Sequence, residues 1–419
     1  MGKRVVITGI GIVSPIGIGK EEFWQNLFAG QSGFKEITLF DVRDLKVKIA
    51  GEIASFNPKT ILGEKGLLDL DRATLLLLSA TKLSLDDASL NIDEDNTYRT
   101  GVSVGTTFGS LHSISKFDRE SLMEGPRYVN PIIFPSTVAN SPASRISIKF
   151  KIKGFNSTIS TGMSATLDAM DYARDFIRLD KVDTIVVGSV EDLSMQTFLG
   201  FYKLNYLSDL KGSSDKPISC PFDNRRNGII FSEGATSLVL QEKEYAKKSG
   251  SSIYAEILGI GSCFDPAKFY KYNPKGEGMK KAMAKALEDA HLLPNNIDCI
   301  FANANSTRDA DSIETKVIKD VFGEYAYKIP VTAVKSIVGE SFSASGGIAT
   351  VAALGALNKG VMPPTINYKE KDKNCDLDYV PNKLRSKTLH HIMINSFGPN
   401  GVNTSLIIGK YNNEQCRIA

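Results

Sequence analysis

Cysteine is sparse and unpaired. The five residues, Cys220, Cys263, Cys299, Cys375 and Cys416, are scattered, odd in number and without a C-x-x-C spacing. That argues against a zinc site and against a disulfide framework, and fits a reducing compartment. No secretory leader is expected either, because Gly9 to Gly19 is broken by glycines and Pro15. No apolar run approaches bilayer-spanning length. The expectation is a soluble, cytoplasmic protein. Charge of one sign is missing too: a net charge of +3 over 419 residues is too small to argue for a nucleic-acid or membrane partner. The lysines between Lys268 and Lys285 are interrupted by Glu277 and apolar residues, which reads as a solvated helix face; the alternative is docking of an acidic partner.

What remains is an ordinary globular composition, 42% apolar and 23% charged, on a chain long enough for one large domain or two similar halves. Short β-rich runs (4–8, 101–105, 158–161, 184–187, 299–302, 331–333, 389–395) alternate with amphipathic stretches (72–88, 278–290, 311–322, 347–359). This predicts an α/β protein whose sheets are covered by helices. The run at 234–243 (GATSLVLQEK) is echoed at 401–410 (GVNTSLIIGK), each behind a phenylalanine-bearing approach at Phe231 and Phe397. The echo suggests a duplicated unit meeting near residue 250, with halves 1–250 and 251–419. The start at 9–14 (GIGIVS) lacks the third glycine of a dinucleotide fingerprint and reads as a tight strand-to-loop turn. No cofactor is expected.

The stretch from Asn156 to Met170 (NSTISTGMSATLDAM) has the pattern of a nucleophile elbow. A strand-like run meets a small-residue turn, then Ala165, Leu167, Met170, Ala173, Phe176 and Ile177 recur at helical spacing. A thiol presented there would be activated by the helix N-terminus. The presented residue is Met163, a thioether that neither ionises nor forms an acyl ester.

Several ordered motifs now carry a resemblance over nearly the whole chain. Residues 3–15 (KRVVITGIGIVSP), 21–24 (EEFW), 221–235 (PFDNRRNGIIFSEGA), 335–339 (KSIVG) and 395–398 (NSFG) resemble the β-ketoacyl-ACP synthases of the thiolase superfamily. The resemblance implies a thiolase-like fold, with duplicated halves in a layered αβαβα arrangement. It implies decarboxylative condensation by a cysteine, two histidines and an oxyanion hole of two N–H groups. At the matching positions stand Met163, Asn303 and Glu340, and Pro399 has no N–H to give. The chain's four histidines offer no substitute: His112 and His291 fall in helical patterns and His390–His391 in a strand pattern. Lys335, Asp311 and Glu314 match retained positions and read as a structural charge cluster, the alternative being a proton network.

Residues 125–140 (GPRYVNPIIFPSTVAN) and 167–170 (LDAM) resemble the chain-length factors of type II polyketide synthases. That resemblance implies a heterodimer with an active ketosynthase, an acyl carrier protein as partner, and a wall around an ACP-bound polyketide, aromatic or polyene. Residues 105–115 (GTTFGSLHSIS) resemble the pocket-lining turn and helix, so Phe108, Leu111, His112 and Ser115 are candidates for the tunnel face; Phe134 lies in the loop 131–135 that resembles the segment crossing to the partner. The expectation is a non-catalytic subunit, no enzyme by itself, of an acyltransferase complex. Its rivals are a malonyl- or acyl-ACP decarboxylase and a scaffold without length control.

Overall fold

The computed structural model describes residues 2–209, 217–266, 268 and 270–411; Cys416 lies outside them. The strands that build the main sheet are β1 (Val5–Ser14), β2 (Thr100–Gly105), β3 (Asn156–Ile159), β4 (Thr184–Glu191), β5 (Gly234–Glu242), β6 (Ala255–Phe264), β7 (Cys299–Phe301), β8 (Val331–Thr332), β9 (His391–Phe397) and β10 (Val402–Lys410). The helices that matter below are α1 (Arg72–Asp87), α2 (Leu111–Glu124), α3 (Ser141–Phe150), α4 (Ala165–Arg178), α5 (Met195–Lys203), α6 (Glu277–Asp289), α7 (Arg308–Phe322) and α8 (Ser343–Lys359).

Hydrogen bonding runs β8-β7-β9-β10-β6-β1-β5-β4-β2-β3, with Gly17–Ile18 hairpinned onto β1. Outward from the centre, one half reads β1-β5-β4-β2-β3 and the other β6-β10-β9-β7-β8. Relabelled by order of appearance, both are 1-5-4-2-3, and their parallel and antiparallel pairings match step for step. The duplication suggested by the T-S-L echo is therefore structural: the two copies of that motif sit in β5 and β10, the equivalent second positions from the centre. The junction itself is slight, since β1 and β6 share only the pairs Val6–Glu256 and Ile7–Ala255.

Strand alternation explains the layering. Ile185, Val187, Leu238, Leu240, Ile392, Ile394, Leu406 and Ile408 point to a central core with α4 and α8. Their neighbours Val186, Val239, Met393 and Ile407 point to two outer cores, under α1 in one half and under α6 in the other. Strands buried on both faces carry near-continuous aliphatic runs, as observed. Helix α8 is apolar or small around its whole circumference, which suits a helix enclosed between sheets.

The G-x-G start is explained by packing. A Cβ on Gly11 would sit 1.8 Å from the Ala80 carbonyl oxygen of α1, and one on Gly261 would sit 2.3 Å from that of Ala282 of α6. Close strand–helix approach is what these glycines permit; residues 9–14 continue strand β1, where a strand-to-loop turn was expected. Each approach is pinned alike: Asp87 at the end of α1 accepts the Ile10 N–H at 2.8 Å, and Asp289 at the end of α6 accepts that of Ile260 at 2.9 Å.

The two central helices begin in equivalent ways. The Ser164 hydroxyl before α4 donates to the Ser396 carbonyl of β9 at 2.8 Å. The Ser343 hydroxyl at the start of α8 lies 3.1 Å from the Val190 carbonyl of β4. Each helix thus starts against the fourth strand of the opposite half, and Met163 and Phe342 hold corresponding positions.

Some expected elements shift. Residues 131–136 form a 3-10 turn where a loop was expected. His291 lies just beyond α6 with φ 52°, and His390 precedes β9. Strands β5, β6 and β10 were not anticipated as strands, because small residues interrupt their aliphatic pattern.

Candidate active site

The elbow is present. Strand β3 ends at Ile159, Gly162 takes φ 69°, and Gly162–Ser164 make one 3-10 turn before α4. Met163 is 3% exposed. Its carbonyl accepts the Ser396 hydroxyl at 2.7 Å, and its sulfur lies 3.9 Å from the Tyr272 hydroxyl, which also reaches the Phe397 carbonyl at 3.4 Å. Burial holds the Tyr272 phenol well above its ordinary range, so it stays a neutral donor.

Asn303, Lys335 and Glu340 come together beside it. The Lys335 ammonium donates to Asn303 Oδ1 at 2.9 Å and to Glu340 Oε2 at 2.8 Å. Glu340 also accepts the Phe342 N–H (3.0 Å), the Ser345 hydroxyl (2.7 Å) and the Asn305 amide (3.4 Å). A buried pair so fully bonded is tolerated because few lone pairs remain unsatisfied.

Asp311 and Glu314, one turn apart on α7, cap the segment that carries Asn303. Glu314 accepts the N–H groups of Asn303 (3.0 Å) and Ala304 (2.8 Å) and the Asn395 amide (3.0 Å). Asp311 accepts those of Asn305 (3.0 Å) and Phe222 (2.9 Å). Burial pushes Glu314 up to about 7 and Asp311 up to about 6, against the pull of these donors. Pro399 forms part of the site rim, and the neighbouring Asn400 amide reaches the Thr161 carbonyl at 3.3 Å.

An apolar cleft of about 450 Å³ opens at Met163, walled by Phe108, Leu111, Phe201, Phe342 and Pro399. Phe342 stacks on Phe201 with ring centres 4.6 Å apart, and Phe108 meets Phe342 edge-on at 5.2 Å. A second cleft of about 480 Å³, more polar, shares Phe201 and Pro399 and adds Tyr206, Tyr272, Asn227 and Arg308.

The expected tunnel face divides. Phe108 precedes α2 and, with Leu111, reaches the Met163 cleft. His112 turns away, lining a separate hollow with Lys116 and Asn130. Ser115 is half-buried on α2 and lines neither cleft, and Phe134 is 61% exposed, its ring 5.9 Å from Phe117. One turn of spacing did not place the four residues on one wall: His112 directly follows Leu111 and so points to another side of the helix, and Ser115 lies one turn further from the cleft. Phe201, Phe342 and Tyr272 were missed. Phe342 stands two residues beyond the matched K-S-I-V-G-E run and was open to notice. Tyr272 was hidden in the lysine-rich segment, where Lys271, Lys275, Lys280, Lys281 and Lys285 are indeed exposed while the tyrosine turns inward.

The β-ketoacyl synthase N-terminal domain matches residues 2–246 and the β-ketoacyl synthase C-terminal domain residues 254–369. A relative from Coxiella burnetii, named 3-oxoacyl-(acyl-carrier-protein) synthase 2, is 35% identical over 97% of this chain and 99% of its own. Among solved structures, one of the ishigamide ketosynthase/chain length factor is 32% identical with a TM-score of 0.91, covering 98% of this chain and 100% of that one. Another, a type II polyketide synthase acyl carrier protein in complex with its ketosynthase bound to the hexaketide, is 29% identical with a TM-score of 0.90, over 98% and 100%.

These findings correct one expectation. A chain this similar, end to end, to a protein named as a synthase does not stand outside the enzymes, as four substituted positions had suggested. Those positions remove a thiol and two imidazoles, yet the site keeps a buried ammonium, three buried carboxylates and a phenol around an apolar cleft. No described helix is long and apolar enough to cross a membrane. The matched domains and the shared architecture place this chain in the β-ketoacyl synthase family.

Proposed function

We propose that the chain is the chain-length-setting member of a ketosynthase pair, a subunit of an ACP-dependent synthase that gives one wall of the tunnel in which a polyketide grows. The observation that carries this reading is that one helix, α2, both lines the Met163 cleft and presents an exposed apolar surface. Leu111 lines the cleft at the start of α2. The rest of α2 and the turn after it then expose Leu122 (84%), Met123 (78%), Ile132 and Phe134. Apolar surface of that kind on a water-facing helix marks an interaction site.

The neighbouring edge supports the same reading. Among the described residues strand β3 pairs only with β2, leaving its outer backbone groups open, and Phe155, Tyr172 and Phe176 cluster beside it. An open edge flanked by aromatics invites pairing with a second subunit. Partner and cargo are read as a cysteine-bearing ketosynthase and an ACP-bound chain, in keeping with the solved likenesses. Length control is then steric: burial of each methylene is favourable until the wall is met, after which overpacking costs about 1–3 kcal/mol.

The test is co-expression with a cysteine-bearing ketosynthase and an acyl carrier protein, with products sized by mass spectrometry. Phe108→Ala is expected to lengthen the product. Unchanged length in Phe108→Ala combined with Phe134→Ala overturns the tunnel assignment, and failure of the two subunits to co-purify overturns the pairing.

A further inference from the structure

The last residue of β4, Glu191, is buried against the turn that carries Phe108 into the cleft wall, and it takes no part in the site described above. No lysine or arginine among the described residues pairs with it. Its carboxylate is held by neutral donors from two separate walls. From the turn after β2 come the N–H groups of Thr107 and Phe108, the latter 3.3 Å from each oxygen, and the Thr106 hydroxyl at 3.3 Å. From the start of α8 comes the Ser343 hydroxyl at 2.6 Å.

These donors flank the two aromatic walls. Phe108 follows Thr107, and Phe342 precedes Ser343. The Phe108 turn is bounded by Gly105 and by Gly109, which has φ 57°, and within it the Gly109 N–H bonds only as far as Thr106. Phe342 itself holds φ 46° and ψ −111°, a conformation that a buried phenylalanine keeps only when its surroundings impose it. Its N–H is tied to Glu340, and the next residue to Glu191.

We propose that Glu191 is a positioning residue for chain-length selection: its carboxylate clasps the Phe108 turn to the start of α8 and so fixes the gauge between the Phe108 and Phe342 rings. This rests on reading the Met163 cleft as an acyl tunnel. Hydrogen bonds from two walls to one carboxyl group give the clasp its stiffness, and their removal leaves several buried donors unpaired.

The test uses the purified full chain and a homologous series of N-acylcysteamine thioesters, short to long, scored by thermal stabilisation. Wild type is expected to show a length optimum. Glu191→Ala should shift and broaden that optimum by about two methylenes or more toward longer chains. Glu191→Gln, which keeps one acceptor oxygen, should stay near wild type and serves as the reading where the alanine variant does not fold. In the double variant with Phe108→Ala, the optimum should move no further than in Phe108→Ala alone. An optimum that moves in Phe108→Ala but stays at the wild-type length in Glu191→Ala overturns the clasp while sparing the acyl cleft. Where Glu191→Ala does not fold, a Glu191→Gln optimum displaced as far as that of Phe108→Ala overturns it instead, since one oxygen should suffice. Absence of stabilisation at every length, in wild type and in Phe108→Ala, overturns the acyl cleft itself.

Discussion

Lys335 and Glu340 form an ion pair, Nζ to Oε2 at 2.8 Å, with both side chains almost wholly withdrawn from water. It stands where the family resemblance calls for an imidazole, and the Asn303 amide completes it. Breaking such a pair from one side strands a charge, whereas replacing both partners by apolar groups often costs little. Lys335→Met is therefore expected to destabilise the fold by about 3–5 kcal/mol. Lys335→Met with Glu340→Leu should recover much of that loss. Urea unfolding of the three proteins measures it.

Close packing of the duplicated glycines predicts a second pair of outcomes. Gly11→Ala and Gly261→Ala each drive a methyl into the backbone of α1 or α6, and each should cost about 2 kcal/mol or more. Gly200 on α5 has open space where its Cβ would go. Gly200→Ala should stabilise by about 0.5–1 kcal/mol. Opposite signs in thermal unfolding would bear out the distinction.

Asp192 gives a pH dependence. Burial first, then the charges of Asp71, Glu191 and Glu233, push its carboxyl up to about 8. The folded state binds this proton more tightly than the unfolded chain. The associated stability is full below about pH 4 and is lost as pH rises through about 8. Asp192→Asn has no proton to lose. Its stability relative to wild type should grow by roughly 4 kcal/mol between pH 5 and pH 9, read from melting curves across that range. A difference that stays flat with pH would contradict the assignment.

The edge beside β3 predicts a change in association without a change in folding. Tyr172 is 40% exposed, its ring 4.8 Å from that of Phe176. Tyr172→Asp should leave the melting temperature within about 2 °C of wild type, since exposed substitutions usually change stability by about 0.5 kcal/mol or less. It should also weaken co-purification with a ketosynthase partner. Size-exclusion chromatography of the co-expressed pair separates the two effects.

How legible was this in the sequence? The elbow at Met163 was readable because a strand, a small-residue turn and an amphipathic helix each leave a local pattern. The duplication was half visible: T-S-L in β5 and β10 gave it away, while the matching G-x-G pairs at Gly9–Gly11 and Gly259–Gly261 passed unnoticed. The convergence of Lys335, Glu340 and Asn303 followed from matched motifs, since nothing local tells a chain that residues 303 and 335 will meet. Glu191, Phe201 and Tyr272 were not legible. Their roles arise from long-range packing, and a lone glutamate at the end of an aliphatic strand resembles any solvated strand terminus.

Met163 and Phe342 are counterparts in the two halves, yet both side chains face one cleft. A gene duplication usually frees one copy to drift while the other keeps its task. Here the copies share a single cavity, so a bulkier residue at either position takes volume from the same guest. Changes in one half are then felt in the other as a need for a compensating change. The two halves are bound to evolve as one.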